Sequence, residues 1–407
     1  MDTILNPSLP RQETVTRSIP QRVSSVDTYR GFVMLLMMAE VLEFGHVAEA
    51  APGSSFWAFL HHHQSHVPWV GCSLHDLIQP SFTFLVGVAL PYSMASRSSQ
   101  GHSATYLWLH MLRRSLILIL LGIFLRSMFS QQTNFTFEDT LTQIGLGYPF
   151  LFALGFSTPR VQWGALAAVL VGYWLLFALY PLPGPDFDWS QAGVAADWPH
   201  HLQGFAAHWN KNTNAAWAFD RWFLNLFPRE QPFLFNGGGY ATLSFIPTLG
   251  TMILGLLAGQ WVKAATSAGP LLKRLLITGV LLLTVATVLN WSGIAPNIKR
   301  IWTPTWTLFS GGWCFILLAG FYYLVDVQQT RRWFMPLIVI GMNSIAAYVL
   351  AHTVVGFIDQ SFRIHISPQY DQVFGPIYRT LVSGGVALLV QWLVLYWMYK
   401  KKLFIRI

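Results

Sequence analysis

Charge is what this chain lacks most. Only 10% of its 407 residues are Asp, Glu, Lys or Arg, while 53% are hydrophobic. A soluble domain carries roughly 25% charged residues, so a set of soluble domains is excluded and a polytopic membrane protein is implied. Cysteine is nearly absent: Cys72 and Cys314 are the two in the sequence, too few for a disulfide framework. The first 25 residues are polar and hold no apolar core segment, so no cleavable signal peptide is expected. Familiar signatures of soluble enzymes are missing as well. There is no P-loop, no Gly-x-Gly-x-x-Gly after a strand and no Gly-x-Ser-x-Gly elbow.

Apolar runs take the place of all these. Crossing a bilayer needs about 20 residues. Ten runs come near that length, at 29–47, 74–96, 107–129, 141–157, 161–180, 241–262, 272–291, 303–325, 335–357 and 376–399. The expected fold is all-α, a membrane bundle of about ten transmembrane helices over 25–407 behind a tail over 1–24. Of the 25 Lys and Arg, 17 fall in one set of alternate loops and termini and 8 in the other. The positive-inside rule then places both termini in the cytoplasm. Most of the formal charge of +8 is thereby an orientation signal rather than a nucleic-acid surface. The one long outer loop, 181–240, is rich in tryptophan, and 212–227 reads as a helix lying along the interface.

Polar residues at span ends mark candidate sites, because ionisable groups there are costly to desolvate. His66-Val67-Pro68-Trp69 precedes Ser73-Leu74-His75-Asp76-Leu77 at the mouth of the second run. His66 and Asp76 have the make-up of a general base and the acid that fixes its tautomer. They also read as an interfacial histidine and a helix-capping acid. His61, His62, His63, His66 and His75 crowd one segment, but neighbours do not share a helix face, so no metal is expected. Asp27 and Arg30 sit at the inner end of the first run, Glu40 and Glu43 in its outer half, with a pairing to Arg126 open. In the ninth run Asn343 is expected mid-membrane, with His352 about 13 Å further out at 1.5 Å per residue. Arg97, Arg113, Arg114, Lys263, Lys273 and Arg274 lie at inner ends, suited to phosphate or to anionic lipid.

Taken in order, these motifs resemble the heparan-alpha-glucosaminide N-acetyltransferase family and its bacterial relatives. The likeness starts at Ser25-Val26-Asp27-Thr28-Tyr29-Arg30-Gly31. It continues through the His66 and Asp76 motifs, Asp220-Arg221 and Trp302-Thr303-Pro304. It ends at Gly341-Met342-Asn343-Ser344-Ile345 with Tyr348 and His352, and at Lys401-Lys402-Leu403-Phe404. The resemblance implies a transmembrane enzyme of the bacterial inner membrane, a homodimer among lipids. It would move acetyl from cytosolic acetyl-CoA to an amino sugar or glycan outside. It implies His66 as the catalytic residue with Asp76 beside it. Arg113, Arg114 and Arg30 become candidates for the donor's phosphates, and Asn343 for the thioester carbonyl. Trp69, Trp302, Asn214, Asp220, His352 and Glu40 become candidates for the acceptor. The chain departs from the family pattern at Ala39-Glu40-Val41, Leu141-Thr142-Gln143-Ile144 and Asn236-Gly237-Gly238-Gly239. Two other classes fit ten spans: an O-acetyltransferase of exported polysaccharide, and a sugar carrier. Against the carrier, no inverted repeat is evident.

Overall fold

The computed structural model describes residues 23–405. The tail expected over 1–24, including Arg11, Arg17 and Arg22, lies almost wholly outside the described residues, as does Arg406. Among the described residues fifteen α-helices follow one another. They are α1 Ser24–Met38, α2 Phe44–Ala50, α3 Ser55–Gln64, α4 Ile78–Ser99, α5 Ala104–Ser127, α6 Thr140–Leu154, α7 Pro159–Ala178 and α8 Ala215–Phe223. After them come α9 Phe245–Ala264, α10 Ala268–Trp291, α11 Pro304–Phe321, α12 Met335–Met342, α13 Ser344–Thr353, α14 Val355–His365 and α15 Arg379–Lys400. The protein is an all-helical integral membrane bundle.

Among the described residues seven helices are long and apolar enough to span a bilayer, and two bent pairs raise the number to nine. The tenth expected span, α6, has only 15 residues, about 22 Å at 1.5 Å per residue. Lipid contact is written on the outward faces. On α5, Leu109, Leu116, Leu120 and Phe124 are each more than half exposed and recur at helical spacing. In water such a stripe would be an aggregation surface.

The centre is the α4–α9 pair, which run in the same direction. Glycines let their backbones touch: a methyl on Gly87 would run into the Met252 carbonyl, one on Gly255 into Phe84, and one on Gly259 into Val88. Gly255 and Gly259 are four apart, the small-residue spacing that draws membrane helices together.

The first and ninth runs are not straight spans. The first turns by 45° at Glu43, whose backbone is left-handed (φ 45). The ninth breaks by 84° between α12 and α13, and Asn343 is the joint. Its Nδ2 donates to the Leu403 carbonyl at 3.0 Å, and its Oδ1 accepts from Ile405 N at 3.1 Å. α12 also rests on the first turn of α1, because a methyl on Gly341 would strike the Asp27 carbonyl. Asn343 therefore lies at the basic end of the bundle, not mid-membrane as expected from a straight helix.

Candidate active site

Two loops at the opposite end build the site. The first, between α3 and α4, is anchored by Trp69, which is buried and donates its Nε1–H to the Trp209 carbonyl at 3.1 Å. The second, between α10 and α11, ends in Thr303-Pro304. Thr303 Oγ1 caps α11 by accepting from Trp306 N, and it also accepts from Ile298 N. The loops pair through a bridge between Val70 and Ile298, beside a Gly71 N–H bonded to the Asn297 carbonyl at 3.1 Å. That pairing sets Lys299 against His66.

Asp76 holds the centre. Ser73 Oγ accepts from Asp76 N at 3.3 Å, and Asp76 Oδ2 accepts from Ser73 N at 3.0 Å. This is the reciprocal capping arrangement of a serine and an acid three residues on. Oδ2 also accepts from Ser73 Oγ and Val67 N. The other oxygen, Oδ1, meets His66 Nδ1 at 2.7 Å and Lys299 Nζ at 3.5 Å. A carboxylate oxygen can only accept, so Nδ1 carries the proton and Nε2 keeps its lone pair. Burial pushes the His66 pKa down, against the upward pull of the Asp76 hydrogen bond and together with the Lys299 charge. At neutral pH the imidazole is uncharged, the form a base requires.

His66, His75, Tyr240 and Lys299 line a cavity of about 470 Å³ with Glu40, Arg126, Tyr348 and His352. That volume lies in the range of small-molecule sites. His352 stacks on Tyr348 with ring centroids 4.4 Å apart, and its Nδ1–H donates to the Tyr348 carbonyl at 2.8 Å. Of the sequence candidates, His66, Asp76, Glu40 and His352 are thus brought together. Arg126 shares the cavity but forms no ion pair with Glu40 or Glu43 among the described residues; Glu43 pairs with His46 instead.

Other candidates are placed elsewhere. Trp69 and Trp302 are buried core, not acceptor platforms: Trp302 donates to Thr251 Oγ1 and packs on Leu77 and Trp306. Asn214 caps α8, accepting from Ala216 N and Trp217 N. Asp220 accepts from Thr242 N, and burial raises its pKa to about 7. Both sit around a small void behind Tyr240 rather than in the His66 cavity. Asn343 cannot reach His66 chemistry. It lies level with Asp27, and Asp27 and Glu40 are 13 residues apart, about 20 Å along a helix. Arg113 points outward, and Arg114 lies 4.5 Å over the Tyr148 ring while donating to its hydroxyl at 3.0 Å.

A second cavity, about 680 Å³, opens at the basic end. Ser24, Asp27, Tyr92, Lys263, Tyr322, Asp326 and Arg331 line it. Arg30 stands beside it, 3.5 Å from Asp27. On the helices that serve both cavities, Tyr29 donates to Ser81 Oγ at 2.8 Å, with Cys314 Sγ 3.7 Å from that oxygen. Sequence reasoning missed Lys299 and treated it as one more orientation charge. Its signal was position: a lysine three residues before Trp302-Thr303-Pro304, on the side where basic residues are scarce.

No family model matches the chain. The chain is similar to the heparan-alpha-glucosaminide N-acetyltransferase of Homo sapiens, at 24% identity over 96% of this chain and 60% of the relative. It is similar to the Mus musculus protein of the same name at 23% identity, over 97% of this chain and 62% of that one. The chain spans about 60% of the length of the curated relatives it matches.

Proposed function

We propose that the chain is a membrane acetyltransferase that carries acetyl from acetyl-CoA to an amino sugar on the other side of the membrane. The observation that carries this reading is the His66 centre. A neutral imidazole, held by a buried carboxylate, turns a free Nε2 into a cavity at the end remote from most basic residues. The names of the two similar proteins supply the reaction and the acceptor class. The charge asymmetry supports a cytoplasmic basic end, with both termini there. The resemblance further supports a homodimer in a bacterial inner membrane.

In this reading His66 Nε2 takes a proton from the acceptor amine as its nitrogen attacks the thioester carbon. The C–N bond forms and the C–S bond breaks. The proton then passes from His66 to the departing sulfur. Glu40 and His352 face the acceptor from across the cavity.

Proteoliposomes with labelled acetyl-CoA on the basic-end side and glucosamine on the other test the reaction. Label should appear on the sugar nitrogen. Sugar movement without label would make the protein a carrier, and label on oxygen alone would make the acceptor a hydroxyl.

The donor's phosphates fit Lys263 and Arg331 better than Arg113 and Arg114, because the former pair lines the basic-end cavity. Exchanging both Lys263 and Arg331 for Gln should weaken CoA binding about tenfold or more and flatten its salt dependence, since each charge-assisted phosphate contact contributes roughly 1.5–3 kcal/mol. Titration calorimetry at two ionic strengths measures this. Such a loss in the Arg113→Gln/Arg114→Gln protein, with none in the Lys263→Gln/Arg331→Gln protein, would return the donor site to α5.

A further inference from the structure

Lys299 is buried, and what surrounds its ammonium is unusual. Its Nζ lies 3.1 Å from His66 Nδ1 and 3.3 Å from His66 Nε2. A nitrogen almost equidistant from both ring nitrogens cannot lie in the ring plane, because Cε1 stands between them and would be struck. The ammonium therefore sits over the face of the imidazole. It does not occupy either in-plane lone-pair direction. Nδ1 is already bound to Asp76, and Nε2 stays open. The ammonium's counter-charge is Asp76 Oδ1 at 3.5 Å.

One carboxylate thus faces an ammonium and an imidazole together. Among the described residues no second carboxylate touches this centre; Glu40, Glu138, Asp139 and Arg126 face it from the other walls of the cavity. His75 lies with its ring centroid 4.5 Å from that of His66, and Tyr240 at 6.5 Å. Arg300, next in sequence, adds positive charge. It holds its place by donating to the Gly238 and Val67 carbonyls, over the Tyr240 ring. Cys72 is a half-buried thiol whose pKa desolvation drives up to about 12, so it brings no negative charge.

We propose that Lys299 is a positioning residue that acts through His66: clamped to Asp76 and lying on the imidazole face, it holds the ring uncharged with Nε2 open, and it repels the proton that Nε2 has accepted. The second half of this statement rests on the acetyl-transfer reading. After His66 takes the acceptor's proton, imidazolium and ammonium are in contact over one carboxylate. Their repulsion favours passing that proton to the leaving sulfur. His66 and Lys299 end the cycle as they began. Burial draws the Lys299 pKa down to about 8, with Asp76 pulling it back up, so the lysine is mostly charged at neutral pH.

The test uses the full chain in nanodiscs, with Lys299→Met, which keeps the shape, and Lys299→Arg, which keeps the charge. The readout is the rate at which diethylpyrocarbonate modifies His66, followed by peptide mass spectrometry across pH 4.5–8.5. In the parent protein the midpoint should fall below 6.5. In Lys299→Met it should rise by about one pH unit or more, since a like charge at contact shifts a neighbour by that order. Lys299→Arg should stay near the parent. The acid limb of the transfer rate should move with the midpoint. If Lys299→Met fails to fold, Lys299→Gln, whose amide still reaches Asp76, carries the same reading. An unmoved His66 midpoint in a folded neutral variant overturns the proposal. If the midpoint moves as stated but no variant, parent included, labels an acceptor, the role of Lys299 on the ring stands and the acetyl-transfer reading falls.

Discussion

Replacing His66 with alanine should lower acetyl transfer by about 10²–10⁴-fold, the usual contribution of a positioned base. CoA affinity should stay near the parent value, because the basic-end cavity shares no lining residue with the His66 cavity. Near-normal turnover of His66→Ala with both substrates saturating would remove the assignment and promote His352. The pH profile follows from the direction of the His66 shift. In the proposed reading the active form is the neutral ring, and its pKa is lowered. Activity should therefore hold as pH falls through 6.5 and decline only below that. Asp76→Asn should be more damaging than loss of an orienting partner. It would also leave Lys299 buried without its counter-charge and weaken the turn that Asp76 closes with Ser73 and Val67. Breaking one side of a buried pair typically costs 3–5 kcal/mol, as an order of magnitude. A thermal melt in detergent, beside the transfer assay, separates the two losses.

The largest structural effect is expected at Gly255. Its α-hydrogens lie on the Phe84 backbone, and a valine there would drive Cβ into that carbonyl. Overpacking a core typically costs about 1–3 kcal/mol when side chains can yield. Here the obstacle is main chain, so α4 and α9 must separate, and His75 and Asp76 at the head of α4 move with them. Gly255→Val should abolish the monodisperse peak in size-exclusion chromatography, or lower the melting temperature by well over the shift seen for a surface change. Gly172→Val is the control, since a Cβ at Gly172 meets nothing within 4 Å. Equal behaviour of the two variants would mean that the α4–α9 seam is not as close as described.

Much of the bundle was legible because lipid imposes a simple rule: long apolar runs become helices. Each of the ten runs corresponds to a helix or a bent pair. The bends were not legible, because nothing local marks them. Glu43 takes a left-handed turn without being glycine, and the joint at Asn343 depends on Leu403 and Ile405, distant in sequence. Gly255-x-x-x-Gly259 is a local signal of the α4–α9 seam, but its partner helix, met at Phe84 and Val88, is distant in sequence and no spacing identifies it.

The site was half legible. The spacing of His66 and Asp76 implied a pair, and the two readings offered for Asp76, cap and orienter, turn out to be two oxygens of one carboxylate. Trp69 and Trp302 misled because an aromatic near a site looks alike in sequence whether it lines a cavity or fills a core. Lys299 was hidden because its contact with His66 spans 233 residues and depends on a bridge between loops that no periodicity predicts.

The elbow at Asn343 also bears on how the molecule is made. Its amide is held by residues 60 and 62 positions further along. At about 5–20 residues per second, the ribosome delivers that latch seconds after α12 has entered the membrane. The glycine seats of α1 wait longer still, since Gly31 meets Leu337 some three hundred residues later. One wall of the basic-end cavity, from Asp27 to Met342, is therefore finished only when α15 and the segment behind it arrive. An insertion between Lys400 and Ile405 would reach the basic-end cavity, leaving intact the His66 loops that are complete much earlier in synthesis.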